Sequence, residues 1–124
     1  MATILIVDDE EADLLGLAAL LEPEGHEVVK ARDAEEALEL FLSRRIHLVL
    51  TDMVMPGRGG LSLIRSLREL DPGAAIIAIS GKSRVQLEAS KVFGASKVLA
   101  KPIDPGDLLA AVDEVIGGGD GNAS

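Results

Sequence analysis

Five short aliphatic runs punctuate the chain, and each leads into a stretch whose apolar residues recur at helical spacing. The runs are TILIV (3–7), EVVKA (27–31), HLVLT (47–51), AAIIAIS (74–80) and KVLA (97–100). Mostly apolar on both parities, they fit strands buried on both faces of a parallel sheet. The first helix, about residues 10–22, turns Leu14, Leu17, Ala18 and Leu21 to one side and stops at Pro23 and Gly25. The second opens at Asp33, an N-cap with Glu36 three residues on, and carries Ala37, Leu38, Leu40 and Phe41 inward. A third, about 61–70, spaces Leu61, Ile64, Leu67 and Arg68 helically before DPG ends it. A fourth, about 84–93, is less apolar and closes at Gly94. The fifth begins with Asp104 as N-cap and Pro105 at its first position, burying Leu108, Leu109, Val112 and Ile116.

This alternation predicts five βα units in one α/β domain, residues 1–116, with a disordered Gly-rich tail at 117–124. Neither a second domain nor an internal repeat is visible.

Composition narrows the function classes. With 48% apolar residues in 124, the chain can build a core without metal or disulfide staples. It has no Cys, which excludes disulfides, thiolate chemistry and sulfur-ligated zinc and fits a reducing cytoplasm. The start, MATILIVDD, lacks the features of a signal peptide, and no apolar stretch is long enough to cross a bilayer; a cytoplasmic protein is expected, with no membrane partner. A net charge of −9 and only two aromatics, Phe41 and Phe93, argue against a nucleic-acid partner.

Ligands of an open parallel sheet bind beyond the carboxyl ends of its strands. There the first run ends at Asp8 and Asp9, the third at Asp52, the fourth at Ser80 followed by Gly81, and the fifth at Lys101 and Pro102. Two full charges about 4 Å apart repel by roughly 4 kcal/mol at an effective dielectric near 20. Three carboxylates therefore need a cation or a raised pKa, and Lys101 alone cannot balance them. Oxygen-only ligands of this kind favour Mg²⁺ together with a phosphate group. Taken singly, each residue has an ordinary explanation as a cap or a solvated side chain; their joint placement does not. Glu10 and Glu11 are read as the acidic first turn of a helix. His26 and His47 fall at the opposite strand ends, too far away to be ligands. Met53 and Met55 are expected to pack near the site.

The segments ILIVDDE, LVLTDMVMPGRGGLSLI, AIIAISG and GASKVLAKPI, in that order, resemble the receiver domain of bacterial two-component response regulators across residues 3–116. The resemblance implies a flavodoxin-like (βα)5 sandwich with strand order 2-1-3-4-5. It also implies that Asp52 accepts a phosphoryl group from a histidine kinase or histidine phosphotransfer protein, with Mg²⁺ as cofactor. Asp8, Asp9, Asp52 and the backbone carbonyl of Val54 would bind the metal. Ser80, Lys101 and the Gly81 amide would contact the phosphoryl group, and the Lys101–Pro102 bond would be cis. The chain would catalyse only its own phosphorylation and dephosphorylation. Its downstream partner would meet the face of the fourth helix, fifth strand and fifth helix, where Arg84, Lys91 and Lys97 stand.

Some positions depart from the family pattern. Val98 stands where many receivers carry Tyr or Phe, so output cannot use an aromatic rotation. Lys82 and Val54 offer no carboxylate or amide to orient a water, which implies slow self-dephosphorylation. Val54 also replaces the second Asp that an aspartyl-phosphate phosphatase needs, and DDEE would repel the phosphate of a flavin carrier. A phosphorylation-independent adaptor remains the alternative, as does a receiver taken from a longer transcription regulator or hybrid kinase.

Overall fold

The computed structural model describes residues 2–53, 59–81 and 94–121, with side chains as far as Ile116. Five parallel strands, β1 (Thr3–Val7), β2 (Glu27–Ala31), β3 (Leu48–Asp52), β4 (Ile76–Ser80) and β5 (Lys97–Ala100), form one sheet of order β2-β1-β3-β4-β5. The order is the one expected from the flavodoxin-like resemblance. Helices α1 (Glu11–Leu21), α2 (Ala34–Ser43) and α3 (Gly60–Leu70) follow the first three strands, and a C-terminal helix spans Pro105–Gly121. The helix expected at about 84–93 lies outside the described residues, as do Val54, Met55, Lys82, Arg84 and Lys91.

Because alternate strand residues point to opposite faces, the aliphatic runs feed two cores. Leu5, Val7, Val49, Ile76 and Ala78 pack with Ala37, Leu63, Ile64 and Leu67 beneath α2 and α3. Ile4, Ile6, Leu48, Leu50, Ile77 and Ile79 pack with Leu14, Ala18, Leu21, Leu108 and Val112 beneath α1 and the C-terminal helix. Ile4, Ile6, Leu48 and Leu50 are wholly buried, each contributing about 1.5–3 kcal/mol.

Helix ends follow local chemistry. The Asp33 carboxylate accepts the Glu36 N–H at 2.8 Å, and the Glu36 carboxylate accepts the Arg32 N–H at 2.9 Å. Asp104 caps the C-terminal helix by accepting the Asp107 N–H at 2.9 Å. That helix continues past Ile116, where the apolar spacing ends, to Gly121; no proline stands there to stop it. The third strand is displaced by one residue from its expected span, leaving His47 outside and taking Asp52 in.

The edge opposite the strand carboxyl ends is fastened by side chains. His26 Nδ1 accepts the Ala2 N–H at 3.2 Å and His47 Nδ1 the Thr3 N–H at 2.9 Å. Both histidines thus hold the start of β1, away from the acidic end. From α3, Arg68 donates to the carbonyls of Gly94 at 2.8 Å and Pro72 at 3.0 Å, to that of Ala74, and to Ser96 Oγ at 3.3 Å. It ties α3 to the entries of β4 and β5.

Candidate functional site

Strand register gathers the acidic groups. Val7 of β1 lies beside Thr51 of β3, so the next residues, Asp8 and Asp52, are neighbours. They extend the Ile4–Ile6 and Leu48–Leu50 rows, on the face covered by α1 and the C-terminal helix. Asp8 is 2% exposed and Asp52 7%. Asp8, Asp9 and Asp52 each offer a carboxylate oxygen, all within 4.8 Å of one another. Beyond β5, Lys101 donates its N–H to the Ser80 carbonyl at 3.0 Å and precedes a cis bond to Pro102.

The Lys101 ammonium is shared. Its Nζ lies 3.3 Å from Asp13 Oδ2, 3.4 Å from Asp52 Oδ2 and 3.9 Å from Asp8 Oδ2. Partial burial works against this ammonium, but the carboxylates of Asp52, Asp8 and Asp13 outweigh it and hold its pKa above the usual lysine value. Burial pushes the Asp8 carboxyl up to about 7. The Glu10 N–H, donated to Asp8 Oδ1 at 2.9 Å, and Lys101 pull it down, while Asp52 and Asp13 push it further up. This end of the molecule therefore favours a bound cation, or a proton in its place.

Asp8, Asp13, Asp52 and Lys101 line a cleft of about 340 Å³ together with Ala12, Leu17, Ile79 and Ile103. Ser80 and Gly81 reach the same edge from β4 without lining this cleft; Ser80 follows the opposite parity, that of Ile76 and Ala78, and is 1% exposed. A Cβ on Gly81 would stand 3.1 Å from Lys101 Cβ, so this glycine makes room for the lysine stem. Glu10 and Glu11 begin α1 as expected, with Glu11 also paired to Arg32. Met53 packs in the core beneath α2 and α3. Lys97, expected on a partner-binding face, is paired with Glu114 of the C-terminal helix. A larger opening, about 700 Å³, lies at the opposite sheet edge between Arg68, Ala74, Ser96 and Glu114.

The sequence reading missed two contributors. Asp13 stands one helical turn before Leu17, and that i, i+4 relation places it above the cleft. Gly60 brings α3 against the end of β3: a Cβ there would stand 2.7 Å from both the Asp52 carbonyl oxygen and Met53 Cα. Gly60→Ala must push α3 away from the backbone that carries Asp52. A loss of about 1–3 kcal/mol in denaturant unfolding is expected. An alanine variant as stable as the parent would contradict this contact.

A family model for the response regulator receiver domain matches residues 4–113. Protein PilH of Pseudomonas aeruginosa is 37% identical over 122 residues, covering 95% of this chain and 100% of that protein. CpxR of Escherichia coli, a transcriptional regulatory protein, is 33% identical over 116 residues, 94% of this chain but 50% of its own length. Of several other relatives the chain likewise spans between a third and a half. The crystal structure of a CheY-like receiver domain protein from Methanospirillum hungatei superposes with a TM-score of 0.92 at 32% identity, over 98% of each chain. Since the matched segment takes in the acidic edge and nearly the whole sheet that supports it, the chain belongs to the response regulator receiver domains of two-component signalling.

Proposed function

We propose that Asp52 is the phosphoacceptor of this receiver and that Mg²⁺ held by Asp8, Asp9 and Asp52 supports the transfer. The observation that carries the reading is the meeting of three carboxylate oxygens within 4.8 Å beside the Lys101 ammonium. Such all-oxygen donors fit a hard cation. When bound, the ion supplies positive charge to the transferring phosphoryl oxygens. The Asp52 carboxylate is already a nucleophile, so no general base is required. Lys101 pairs with one phosphoryl oxygen, Ser80 Oγ hydrogen-bonds another, and the Gly81 N–H is a further donor. The backbone carbonyl of Val54, which lies outside the described residues, would be a further oxygen ligand to the ion.

Response regulators take input from histidine kinases and act on downstream effectors. For this chain the donor is a phosphohistidine of a sensor kinase or a histidine phosphotransfer protein. Output passes through β5, the C-terminal helix and the segment before β5. Val98, half-buried against the core beneath α2 and α3, gives that coupling no aromatic side chain to rotate. A longer phosphate lifetime is expected, because neither Lys82 nor Val54 carries a carboxylate or amide with which to orient a water. No described helix is long and apolar enough to cross a membrane, and a cytoplasmic setting is part of this proposal.

Intact-mass measurement after incubation with phosphoramidate and Mg²⁺ tests the reading. One phosphoryl group per chain is expected with Mg²⁺ and almost none with a chelator. A protein that stays unmodified under both conditions, yet still binds a partner, is a phosphorylation-independent adaptor.

A further inference from the structure

Asp13 is the carboxylate at this site that the proposed phosphoacceptor chemistry leaves without a task. It enters from the first turn of α1, and its side chain is 44% exposed where that of Asp52 is 9% exposed. Asp13 therefore stands at the mouth of the cleft and Asp52 at its floor. The Lys101 ammonium, with three protons to donate, lies between them at 3.3 and 3.4 Å.

We propose that Asp13 is a positioning residue that holds the Lys101 ammonium at the cleft mouth and screens incoming phosphodonors by charge. The inference rests on Asp52 being the phosphoacceptor. Two consequences follow from the geometry. One N–H given to Asp13 still leaves two for Asp52 and a phosphoryl oxygen, so Asp13 can hold the ammonium in place throughout the transfer. A fixed negative charge at the mouth also repels a dianionic donor more than one whose leaving group carries a positive charge.

Two small donors separate these cases. With acetyl phosphate, an Asp52 oxygen forms the new O–P bond while the bridging P–O bond breaks and acetate leaves with the electron pair. With phosphoramidate, the same O–P bond forms, the P–N bond breaks, and the protonated nitrogen leaves as ammonia. The first donor is a dianion; the second carries one less net negative charge.

The test compares wild type, Asp13→Asn and Asp13→Glu at fixed Mg²⁺ with both donors, at low and high salt. Asp13→Asn should raise the acetyl phosphate rate at subsaturating donor by about threefold to tenfold, mainly through a lower apparent KM. Its phosphoramidate rate should change by less than about twofold, and its acetyl phosphate rate should respond less to salt than that of wild type. Asp13→Glu should restore the wild-type preference. A merely structural role would move both donors together and leave the salt response unchanged. Wild type phosphorylated beside an Asp13→Asn variant with unaltered donor preference overturns this inference alone. Wild type that accepts phosphoryl from neither donor overturns the Asp52 assignment and this inference with it.

Discussion

Asp8→Asn should make the metal-free protein more stable and remove most of its affinity for Mg²⁺. Asp8 is buried, and its carboxyl is raised from 3.8 to about 7, first by burial and then by the Asp52 charge. The folded chain therefore holds a proton that the unfolded chain has released between about pH 4 and pH 7. In that window stability falls as pH rises. Above pH 7 the buried carboxylate costs on the order of 2–4 kcal/mol. Asparagine copies the neutral acid, and its Oδ1 can still accept the Glu10 N–H. The gain over wild type should be absent near pH 4 and complete by about pH 8, where Tm rises by roughly 10 °C. Magnesium binding runs the other way. Losing one full charge beside the ion removes at least about tenfold in affinity, because charges 4 Å apart interact by roughly 4 kcal/mol at an effective dielectric of 20. In wild type the proton and the cation compete for Asp8, so Mg²⁺ affinity should climb with pH through about 7. Calorimetric titration and thermal melts at pH 5 and pH 8 check both halves. A variant that melts lower at pH 8, or binds Mg²⁺ as well as wild type, would contradict the site.

Asp52→Asn should lower phosphorylation by at least about a thousandfold, below detection in an intact-mass assay, because a neutral amide oxygen is a far poorer nucleophile than a carboxylate. The loss belongs to chemistry and not to folding. Asp52 ends β3 with its backbone held in the sheet against Ile79, and asparagine keeps its shape. Above about pH 7, where Asp8 is also charged, the variant should melt above the wild-type temperature, since the Asp52 charge that repels Asp8 is gone. Asp9→Asn is the companion: Asp9 is exposed and shares the carboxylate cluster, and the proposed chemistry gives it the metal and not the phosphoryl group. It should weaken Mg²⁺ binding yet still allow slow phosphorylation at high Mg²⁺. If Asp52→Asn is modified as fast as wild type, the acceptor lies elsewhere.

The features legible in the sequence are those set by local rules. Aliphatic runs on both parities announced buried parallel strands, and Asp33 and Asp104 announced helix starts that hydrogen bonds bear out. Asp8, Asp9, Asp52 and Lys101 could be gathered because each ends a strand or follows one within two residues, and strand ends in a parallel sheet share one edge. What stayed hidden depends on contacts between elements far apart in the chain. Asp13 and Lys101 stand 88 residues apart, and nothing in an acidic first helical turn says which lysine will meet it. Gly60 reads as part of a loop until α3 is seen pressed on the Asp52 carbonyl. His26 and His47 were placed at the right edge, but their task of holding the β1 amides needs the fold. Arg68 shows helical spacing in the sequence, whereas its four acceptors come from the segments before β4 and β5.

The measurement that bears most directly on the central claim is peptide-level mass spectrometry of the protein after incubation with phosphoramidate and Mg²⁺. A single hydroxylamine-labile phosphoryl group on the side chain of Asp52 is expected, formed only when Mg²⁺ is present. A phosphoryl group on Asp8, Asp9 or Asp13 instead, or equal modification in the presence of a chelator, would contradict that claim.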